Sequence, residues 1–450
     1  MGVRLPGSTT GLFDPNVVKQ LIEVEKLPIE SAKKRRDKIV EEKDEFTKVR
    51  DLVNGLDTTL NSLKNRTDFY KLKVESSHPD IIDGLVEGVA LIGSYEFEVR
   101  GMAKTEKELA YGFPDKNETP VGFGFMLIER DDMDDFEVVI EPGSTLQEVA
   151  NQINDAEAGV KAMVINTKYK PDPYRLLVVS QQSGKEAKIK IDEDTTFLEF
   201  KEQVRGRNLD ILFEDVPVTD EDNNLDELVD NVVFNVKRAE PGTRVQVNIT
   251  YDLEKTMESI NSFIEKYNEL AGFISEQYIV DANTNRAGIL SGDSSTRTVM
   301  RRMQSAVVGA ISSPGKWSTL GEIGITTDPK TGKLEMNEAK VKQSLAEDYE
   351  SVANLFIQRK GGIGIAARMA NAIKGLRDPA GGVLKTKMKT LDTIIKSQDK
   401  EIELKERALE KKEESIKRRF ASLESQLSGL KAQGDFLAQR FGAQQKGGKK

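Results

Sequence analysis

Residues that could do chemistry are scarce in this chain. His78 is its single histidine, it precedes Pro79, and the sequence holds no cysteine. A thiolate nucleophile, a cysteine-ligated metal site and a pair of imidazoles are therefore all excluded. We predict that His78 is a surface residue in a loop.

Four short motifs imitate those of penicillin-binding enzymes. Ser-x-x-Lys occurs at Ser31/Lys34, Ser313/Lys316 and Ser397/Lys400, and Lys-Thr-Gly spans residues 330–332. Two of the Ser-x-x-Lys motifs lie in stretches with helical spacing, and the Lys-Thr-Gly lies in a predicted hairpin turn. We attribute these matches to chance.

One glycine-containing loop imitates a phosphate-binding site. Residues 309–316 resemble a phosphate loop, but one residue too many separates Gly309 from Gly315. Trp317 also stands where a serine or threonine should bind magnesium. We therefore predict no nucleotide site here.

Two acidic segments could hold a cation. Asp281, with Asn283 and Asn285, begins like a calcium loop, but Arg286 replaces the required glycine and Gly292 the bidentate glutamate. We interpret that segment as a polar loop. The acidic run over residues 129–137 predicts a charged hairpin tip, with weak binding of divalent cations as the alternative.

Composition narrows the function classes further. Over 450 residues, 66 Lys and Arg nearly balance 75 Asp and Glu, which leaves a net charge of −9. Such a balance provides no concentrated basic face for nucleic acid, and no stretch reaches the roughly 18 apolar residues of a membrane span. We predict a structural protein with no catalytic residue, cofactor, metal ion, nucleic-acid partner or membrane insertion.

The C-terminal end predicts a long helix. An apolar residue recurs at every seventh position, which indicates a helix packed along another helix. These residues are Met388, Ile395, Ile402, Leu409, Ile416, Leu423, Leu430 and Leu437. At roughly 1.5 Å per residue the element is about 75 Å long, so its apolar stripe needs a partner.

The middle of this helix differs from its last turns. Gln398, Lys405 and Lys412 occupy the second position of the repeat, so the middle is predicted to be solvated. Four ion pairs are predicted one turn apart: Glu401–Lys405, Glu403–Arg407, Glu413–Lys417 and Glu414–Arg418. Phe420, Leu427 and Phe441 then widen the apolar stripe, and we predict that the segment 416–441 is an intermolecular contact surface.

The N-terminal end also predicts helices. The pair Asp14-Pro15 begins a short helix with Val18, Leu21 and Ile22 on one face, and Pro28 should end it. A second helix runs from about 29 to 63, and its apolar positions are Phe46, Val49, Val53, Leu56, Leu60 and Leu63. Similar spacing returns over 253–274, and we predict that these two stripes pack against each other within the chain.

Between the helical ends the hydrophobic period becomes two, which predicts strands. The predicted strands are 95–99, 125–129, 136–140, 160–166, 175–180, 187–191, 209–213, 232–237 and 245–251, with a short helix over 144–153. Further along, we predict helices over 299–311 and 341–356, a hairpin over 323–336 and a glycine-rich hinge over 361–382.

The predicted fold class is α+β and multidomain, with β-rich head domains inserted into a discontinuous helical bundle or coiled-coil leg formed by both chain ends. The predicted divisions are 1–40 for the N-terminal leg segment, 41–71 and 252–380 for the helical leg domain, 72–93 and 201–251 for one β head domain, 94–200 for the distal β-rich head domain, and 381–450 for the C-terminal coiled-coil helix and tail.

The ordered set of motifs resembles the flagellar filament cap protein family, also called hook-associated protein 2. The N-terminal motifs are Gly11-Leu-Phe-Asp14, Val17-Val-Lys-Gln-Leu-Ile22 and Glu25-Lys-Leu-Pro-Ile29. Those of the middle are Tyr95-Glu-Phe-Glu-Val99, Gly143-Ser-Thr-Leu146 and Phe263-Ile-Glu-Lys-Tyr-Asn268. The C-terminal motifs are Leu290-Ser-Gly-Asp293, Arg419-Phe-Ala-Ser-Leu423 and Leu437-Ala-Gln-Arg-Phe441.

The resemblance implies a structural cap at the tip of the bacterial flagellar filament, which retains exported flagellin and promotes its folding and insertion. It implies a homo-oligomeric ring of about five subunits, with roughly four or six as alternatives. Its other implied partners are flagellin, the hook–filament junction proteins and an export chaperone. The implied location is extracellular, reached through the flagellar type III apparatus without a cleaved signal peptide, since the first residues lack an apolar core.

The contact residues that we predict share one property, because each is an apolar residue on a terminal stripe. They are Val18, Leu21, Ile22, Phe420, Leu423, Leu427, Leu430, Leu437 and Phe441. The alternative functions are a non-flagellar coiled-coil scaffold and a surface adhesin with a β-rich head.

Overall fold

The computed structural model describes residues 15–130, 135–157, 159–280, 287–312, 315–359 and 362–446. The chain forms two compact units. The helical unit combines the residues up to Asn65 with those from Glu258 onward, and the β unit contains Arg66–Met257. The fold class is therefore α+β and multidomain, as the sequence predicts.

The helices in the described part of the chain are α1 Pro15–Lys64, α2 Arg66–Phe69, α3 Leu146–Asp155, α4 Leu253–Glu276, α5 Ser294–Val307, α6 Glu338–Glu347, α7 Tyr349–Phe356, α8 Ile365–Leu376 and α9 Val383–Lys446. Within the described residues, none of them combines the length and the apolar character that crossing a bilayer requires. All four ion pairs predicted one turn apart are present on α9.

The strands are short, as the period-two pattern predicts. They are β1 Leu72–Ser76, β2 Ile82–Val86, β3 Gly93–Gly101, β4 Lys107–Ala110, β5 Gly122–Arg130, β6 Phe136–Ile140, β7 Val160–Asn166, β8 Tyr174–Ser180, β9 Ile189–Thr196, β10 Phe200–Val204, β11 Leu209–Phe213, β12 Val216–Asp220, β13 Asn224–Val229, β14 Val232–Val236, β15 Arg244–Tyr251, β16 Ile325–Thr327, β17 Leu334–Met336, β18 Gln358–Arg359 and β19 Gly362–Ile363.

The β unit contains two hydrophobic cores. The proximal core contains residues of a five-stranded sheet, in the order β1-β15-β3-β11-β12, and of a three-stranded sheet, β13-β14-β2. The distal core contains residues of a four-stranded sheet, β10-β4-β8-β7, a second three-stranded sheet, β6-β5-β9, and helix α3. Each core buries alternate residues of its strands, which is the pattern of a sheet with one covered face.

The boundary predicted at residue 94 needs correction. It would assign β3 to the distal head domain, but β3 pairs with β15 on one side and with β11 on the other. Phe97 and Val99 of β3 are accordingly buried in the proximal core. Pairing between strands distant in sequence therefore moves the start of the distal domain beyond β3.

In the helical unit, the apolar stripe of α1 from Phe46 to Leu63 is fully buried. On α4, Met257 of the predicted stripe is half-buried, and its other members are buried: Ile260, Ile264, Tyr267, Ala271 and Ile274. A Cβ at Gly55 of α1 would lie 4.0 Å from Cδ of Lys266 on α4. The helices that approach α1 most closely are α8 and α9, however, so direct packing of the two stripes on each other stays a prediction.

Two helix predictions and the hinge prediction need correction. Pro28 does not end a helix, since α1 continues through it from Pro15 to Lys64. The predicted helix over 341–356 is divided at Asp348, whose carboxylate accepts the Ser351 amide at 2.9 Å and caps α7. The predicted hinge over 361–382 contains α8, which buries Met369 and Ile373 at helical spacing.

Candidate functional site

Within the described residues, the motifs that imitate enzymes do not assemble a site. His78 is exposed, and its Nδ1 lies 3.0 Å from Ser77 Oγ. Lys330 and Thr331 of the Lys-Thr-Gly motif donate their amides to Asp328 in the β16–β17 turn, as predicted. The calcium-like segment 281–286, the tip of the acidic hairpin at 131–134, and Ser313 lie outside the described residues.

The two terminal helices form an antiparallel pair. Ion pairs connect Glu25 with Lys412 at 2.6 Å, Lys33 with Glu406 at 2.7 Å, Arg36 with Asp399 at 3.1 Å and Lys43 with Asp392 at 2.7 Å. One partner's number rises as the other's falls, which fixes the direction. The apolar contact between these pairs consists of Ile29, Ala32 and Ile402, with Leu409 against them.

These contacts explain why α1 continues through Pro28. A proline removes one backbone hydrogen bond and crowds the preceding turn of a helix. Here α9 holds the chain on both sides of it, through Glu25 before the proline and through Ile29, Ala32 and Lys33 after it. Packing against a second helix therefore overrides the local preference to stop.

A network of charged side chains connects the beginning of α9 to the rest of the helical unit. The Lys387 ammonium contacts the carboxylates of Glu42 on α1 and Asp293, each at 2.6 Å. Asp293 caps α5 by accepting the amides of Ser295 at 2.6 Å and Thr296 at 3.2 Å. The network therefore connects α1, α5 and α9 within the helical unit.

In this network the pKa of the acid is lowered and the pKa of the base is raised, as expected for an ion pair. Burial alone would raise the pKa of Asp293, but the Lys387 ammonium and the Ser295 amide outweigh it and hold that pKa below its ordinary value. Burial would likewise lower the pKa of Lys387, but Asp293 and Glu42 outweigh it and raise that pKa. Both groups are thus held in their charged forms.

The apolar stripe that recurs every seven residues along α9 does not remain in contact with α1 over its whole length. Ile402 is buried and Leu409 is half-buried, whereas Leu423, Leu430 and Leu437 are 44%, 64% and 50% exposed. A straight helix drifts by about 20° per heptad relative to a seven-residue repeat. The stripe therefore turns away from the α1 side as α9 proceeds.

The described part of α1 also ends before these leucines. Continuing the register of the Glu25–Lys412 pair places Pro15 opposite about residue 422 of α9. Leu430 and Leu437 lie beyond that point and have no α1 partner among the described residues. Phe436, beside Leu437, is 61% exposed.

The other predicted contact residues are distributed unevenly. Phe420 and Leu427 are half-buried on α9, and the side chain of Phe441 lies outside the described part of the structure. On α1, Leu21 is exposed and Ile22 half-buried, but Val18 is buried. Val18 is therefore a correction, because the folded chain already covers it.

Three exposed apolar residues beside the predicted contact residues were not part of the prediction. Val24 and Leu27 continue from Leu21 at steps of three along α1, and Phe436 adjoins Leu437 on α9. The spacing of Leu21, Val24 and Leu27 was visible in the sequence.

Comparisons with known proteins agree on one family. The model of the flagellar hook-associated protein 2 C-terminus matches residues 206–432, and that of the N-terminus matches residues 12–106. B-type flagellar hook-associated protein 2 of Pseudomonas aeruginosa is 26% identical over 370 residues, covering 75% of this chain and 76% of the relative. Flagellar hook-associated protein 2 of Escherichia coli K12 is 24% identical over 324 residues, covering 66% and 68%.

A solved structure shares the fold. The D1–D2–D3 domains of the flagellar cap protein from Escherichia coli superpose with a TM-score of 0.60 at 22% identity, covering 77% of this chain and 99% of that one. Nothing in these likenesses favours a non-flagellar scaffold or adhesin. With family models that match most of its length and a β unit placed between paired terminal helices in the sequence, the chain belongs to the flagellar hook-associated protein 2 family, the structural cap proteins of the flagellar filament.

Proposed function

We propose that this chain caps the growing tip of a flagellar filament and holds exported flagellin there with the end of α9. The observation that carries the proposal is the stripe of Leu423, Leu430, Phe436 and Leu437, which is exposed beyond the reach of the described part of α1. Exposed apolar residues in a continuous stripe are typical of a surface that a partner covers. We name these four residues the distal stripe.

The partner that we propose for the distal stripe is flagellin or a neighbouring subunit of the cap. Leucine and phenylalanine on one side of a helix suit insertion between the helices of another protein. A closed ring of about five subunits would place several such helices around one axis, so that each subunit offers one docking position.

The remaining elements of the proposal concern assembly. We propose export through the flagellar type III apparatus in an unfolded state, aided by an export chaperone. The absence of cysteine in the sequence is compatible with this route, because an unfolded chain then has no thiols to mispair. At the tip, the hook–filament junction proteins would be neighbours before flagellin is added.

The test introduces charge into the distal stripe. The double variant Leu423→Asp/Leu430→Asp should restore neither motility nor filament growth to a strain that lacks the gene. Burying two unpaired carboxylates in an apolar contact is energetically costly, so the variant should not hold flagellin at the tip. Flagellin should then accumulate as monomer in the medium.

The matched control is Ser425→Asp/Ala432→Asp. It adds the same two charges two residues later, about 200° around the same helix, at positions that are exposed. The control should support normal motility. Normal filament growth with the Leu423→Asp/Leu430→Asp protein, at equal protein levels, would refute the proposed contact.

A further inference from the structure

Three glutamates converge at one end of the distal core. Glu106 immediately precedes β4, Glu108 lies within it, and Glu202 of β10 pairs directly with Glu108. One carboxylate oxygen from each lies within 4.8 Å of the other two. The spacing suits oxygen ligands around one Ca²⁺ ion, whose ligand distances are about 2.3–2.6 Å.

Two of these carboxylates are buried, which is costly for unpaired charges. Glu106 is 1% exposed and Glu108 is 8% exposed. Glu106 Oε2 accepts the Gly206 amide at 2.9 Å, but its Oε1 has no hydrogen-bond partner among the described residues. A buried oxygen without a partner is the feature that a bound cation would explain.

A fourth oxygen lies on the same face of the sheet. Val178 of β8 is opposite Glu108, so Ser180, two residues on, shares the face of the three carboxylates. Ser180 is 3% exposed, and its hydroxyl also lacks a partner among the described residues. This hydroxyl is a further neutral ligand on the face that the carboxylates occupy.

The electrostatics of the cluster are unfavourable without a counter-charge. The buried carboxylate of Glu108 lies beside the carboxylates of Glu106 and Glu202, and Lys188 is the one positive side chain that acts on it among the described residues. Lys188 itself is exposed. A divalent cation would replace repulsion among three carboxylates by attraction to a common centre.

We propose that Glu106, Glu108 and Glu202 bind one calcium ion at the junction of the two β domains. Hard oxygen donors favour calcium or magnesium, and three carboxylates with an exposed third member suit the irregular, partly hydrated coordination of calcium. The sequence analysis predicted no metal site, because Glu202 lies 94 residues beyond Glu108 and meets it only through the pairing of β4 with β10.

The ion would connect the two segments that run between the β domains. Lys104 bridges to Arg207 in these segments, and the Gly206 amide already contacts Glu106. A Cβ at Gly206 would approach Oε2 of Glu106 to 3.0 Å, so the two segments lie close together. Calcium would add a direct link between β4 and β10 where they leave the distal sheet.

The experiment uses the full chain, treated with EDTA and dialysed into metal-free buffer at pH 8. Titration calorimetry with CaCl₂ should show one site, and scanning calorimetry should show a higher transition temperature for the β unit in calcium. Glu106→Gln and Glu202→Gln should each weaken calcium binding at least about tenfold, since affinity follows the number of charged ligands.

Glu202→Gln alters an exposed side chain, so it keeps the test valid even if Glu106→Gln fails to fold. The matched control is Glu227→Gln on β13, an exposed glutamate elsewhere in the β unit, which should bind calcium like the unaltered chain. No heat and no shift in transition temperature up to about 5 mM CaCl₂ would overturn the proposal. Equal affinity of Glu202→Gln and the unaltered chain would overturn it as well.

Discussion

Replacing Lys387 by methionine tests how much the largely buried charge network contributes to stability. The exposed ion pairs of the α1–α9 helix pair are left unchanged by this substitution. Lys387 is the single described cation that contacts both Glu42 and Asp293. Methionine keeps much of the aliphatic side chain but removes the charge. Two carboxylates would then remain in place without their common partner.

The magnitude follows from the burial of the network. The side chains of Lys387, Asp293 and Glu42 are 20%, 9% and 23% exposed. Breaking a largely buried pair leaves an uncompensated charge, so we expect a loss of about 2–4 kcal/mol in the free energy of unfolding. The matched control is Lys412→Met, which removes an exposed pair with Glu25 and should cost less than about 1 kcal/mol.

Trp317 provides the assay. It is the single tryptophan of the chain, it belongs to the helical unit, and it is buried. Urea unfolding followed by its fluorescence therefore reports the helical unit without signal from tryptophan elsewhere. Equal free energies of unfolding for Lys387→Met and Lys412→Met, within about 0.5 kcal/mol, would refute the reasoning.

The contribution of this network to the free energy of unfolding should also depend on pH, which provides a second test. Because the pKa of Asp293 is depressed, its stabilising contribution is present above the ordinary aspartate pKa of about 3.9 and is lost as pH falls through the lower pKa of the folded state. The difference in stability between the unaltered chain and Lys387→Met should therefore narrow below about pH 4. The raised pKa of Lys387 preserves its contribution at every pH below about 10.4. A difference that stays constant between pH 7 and pH 3 would contradict the assignment.

Three further substitutions test the fold. Pro28→Ala should stabilise the α1–α9 pair by about 1–3 kcal/mol, because it restores a helical amide; a lower melting temperature by circular dichroism would show that the helix is interrupted there. Gly364→Ala should cost more than about 2 kcal/mol in the Trp317 assay, because the new Cβ would lie 2.3 Å from the Phe356 carbonyl carbon; unchanged stability would argue against this close approach. Glu148→Ala should lower the transition temperature of the β unit, because it removes the carboxylate that accepts the Thr145 amide at 2.9 Å at the start of α3; scanning calorimetry should detect the decrease, and an unchanged transition would contradict the capping role.

Local pattern was sufficient to predict most of the individual elements. Strands such as β7 and β11 were predicted with their observed bounds, because alternation of apolar and polar residues reports which face of a sheet is covered. The long α9 and its ion pairs were predicted for a similar reason, since neighbours on a helix surface are neighbours in sequence.

Predictions failed where a distant part of the chain decides the outcome. Pro28 favours a helix end locally, but contacts with α9 on both sides of it hold α1 continuous. The predicted boundary at residue 94 overlooked that β3 pairs with β11 and β15, which follow more than a hundred residues later. Neither contact has a signature in the neighbouring sequence.

The sequence by itself determined that an apolar stripe runs along the C-terminal helix, whereas the tertiary structure decided which of its residues are covered. The drift of the helix relative to a seven-residue repeat, together with the point where the described part of α1 begins, leaves Leu430 and Leu437 exposed. The cluster of Glu106, Glu108 and Glu202 likewise exists only through the pairing of β4 with β10. Periodicity is a property of neighbouring residues, but burial and convergence depend on what the rest of the chain brings into contact.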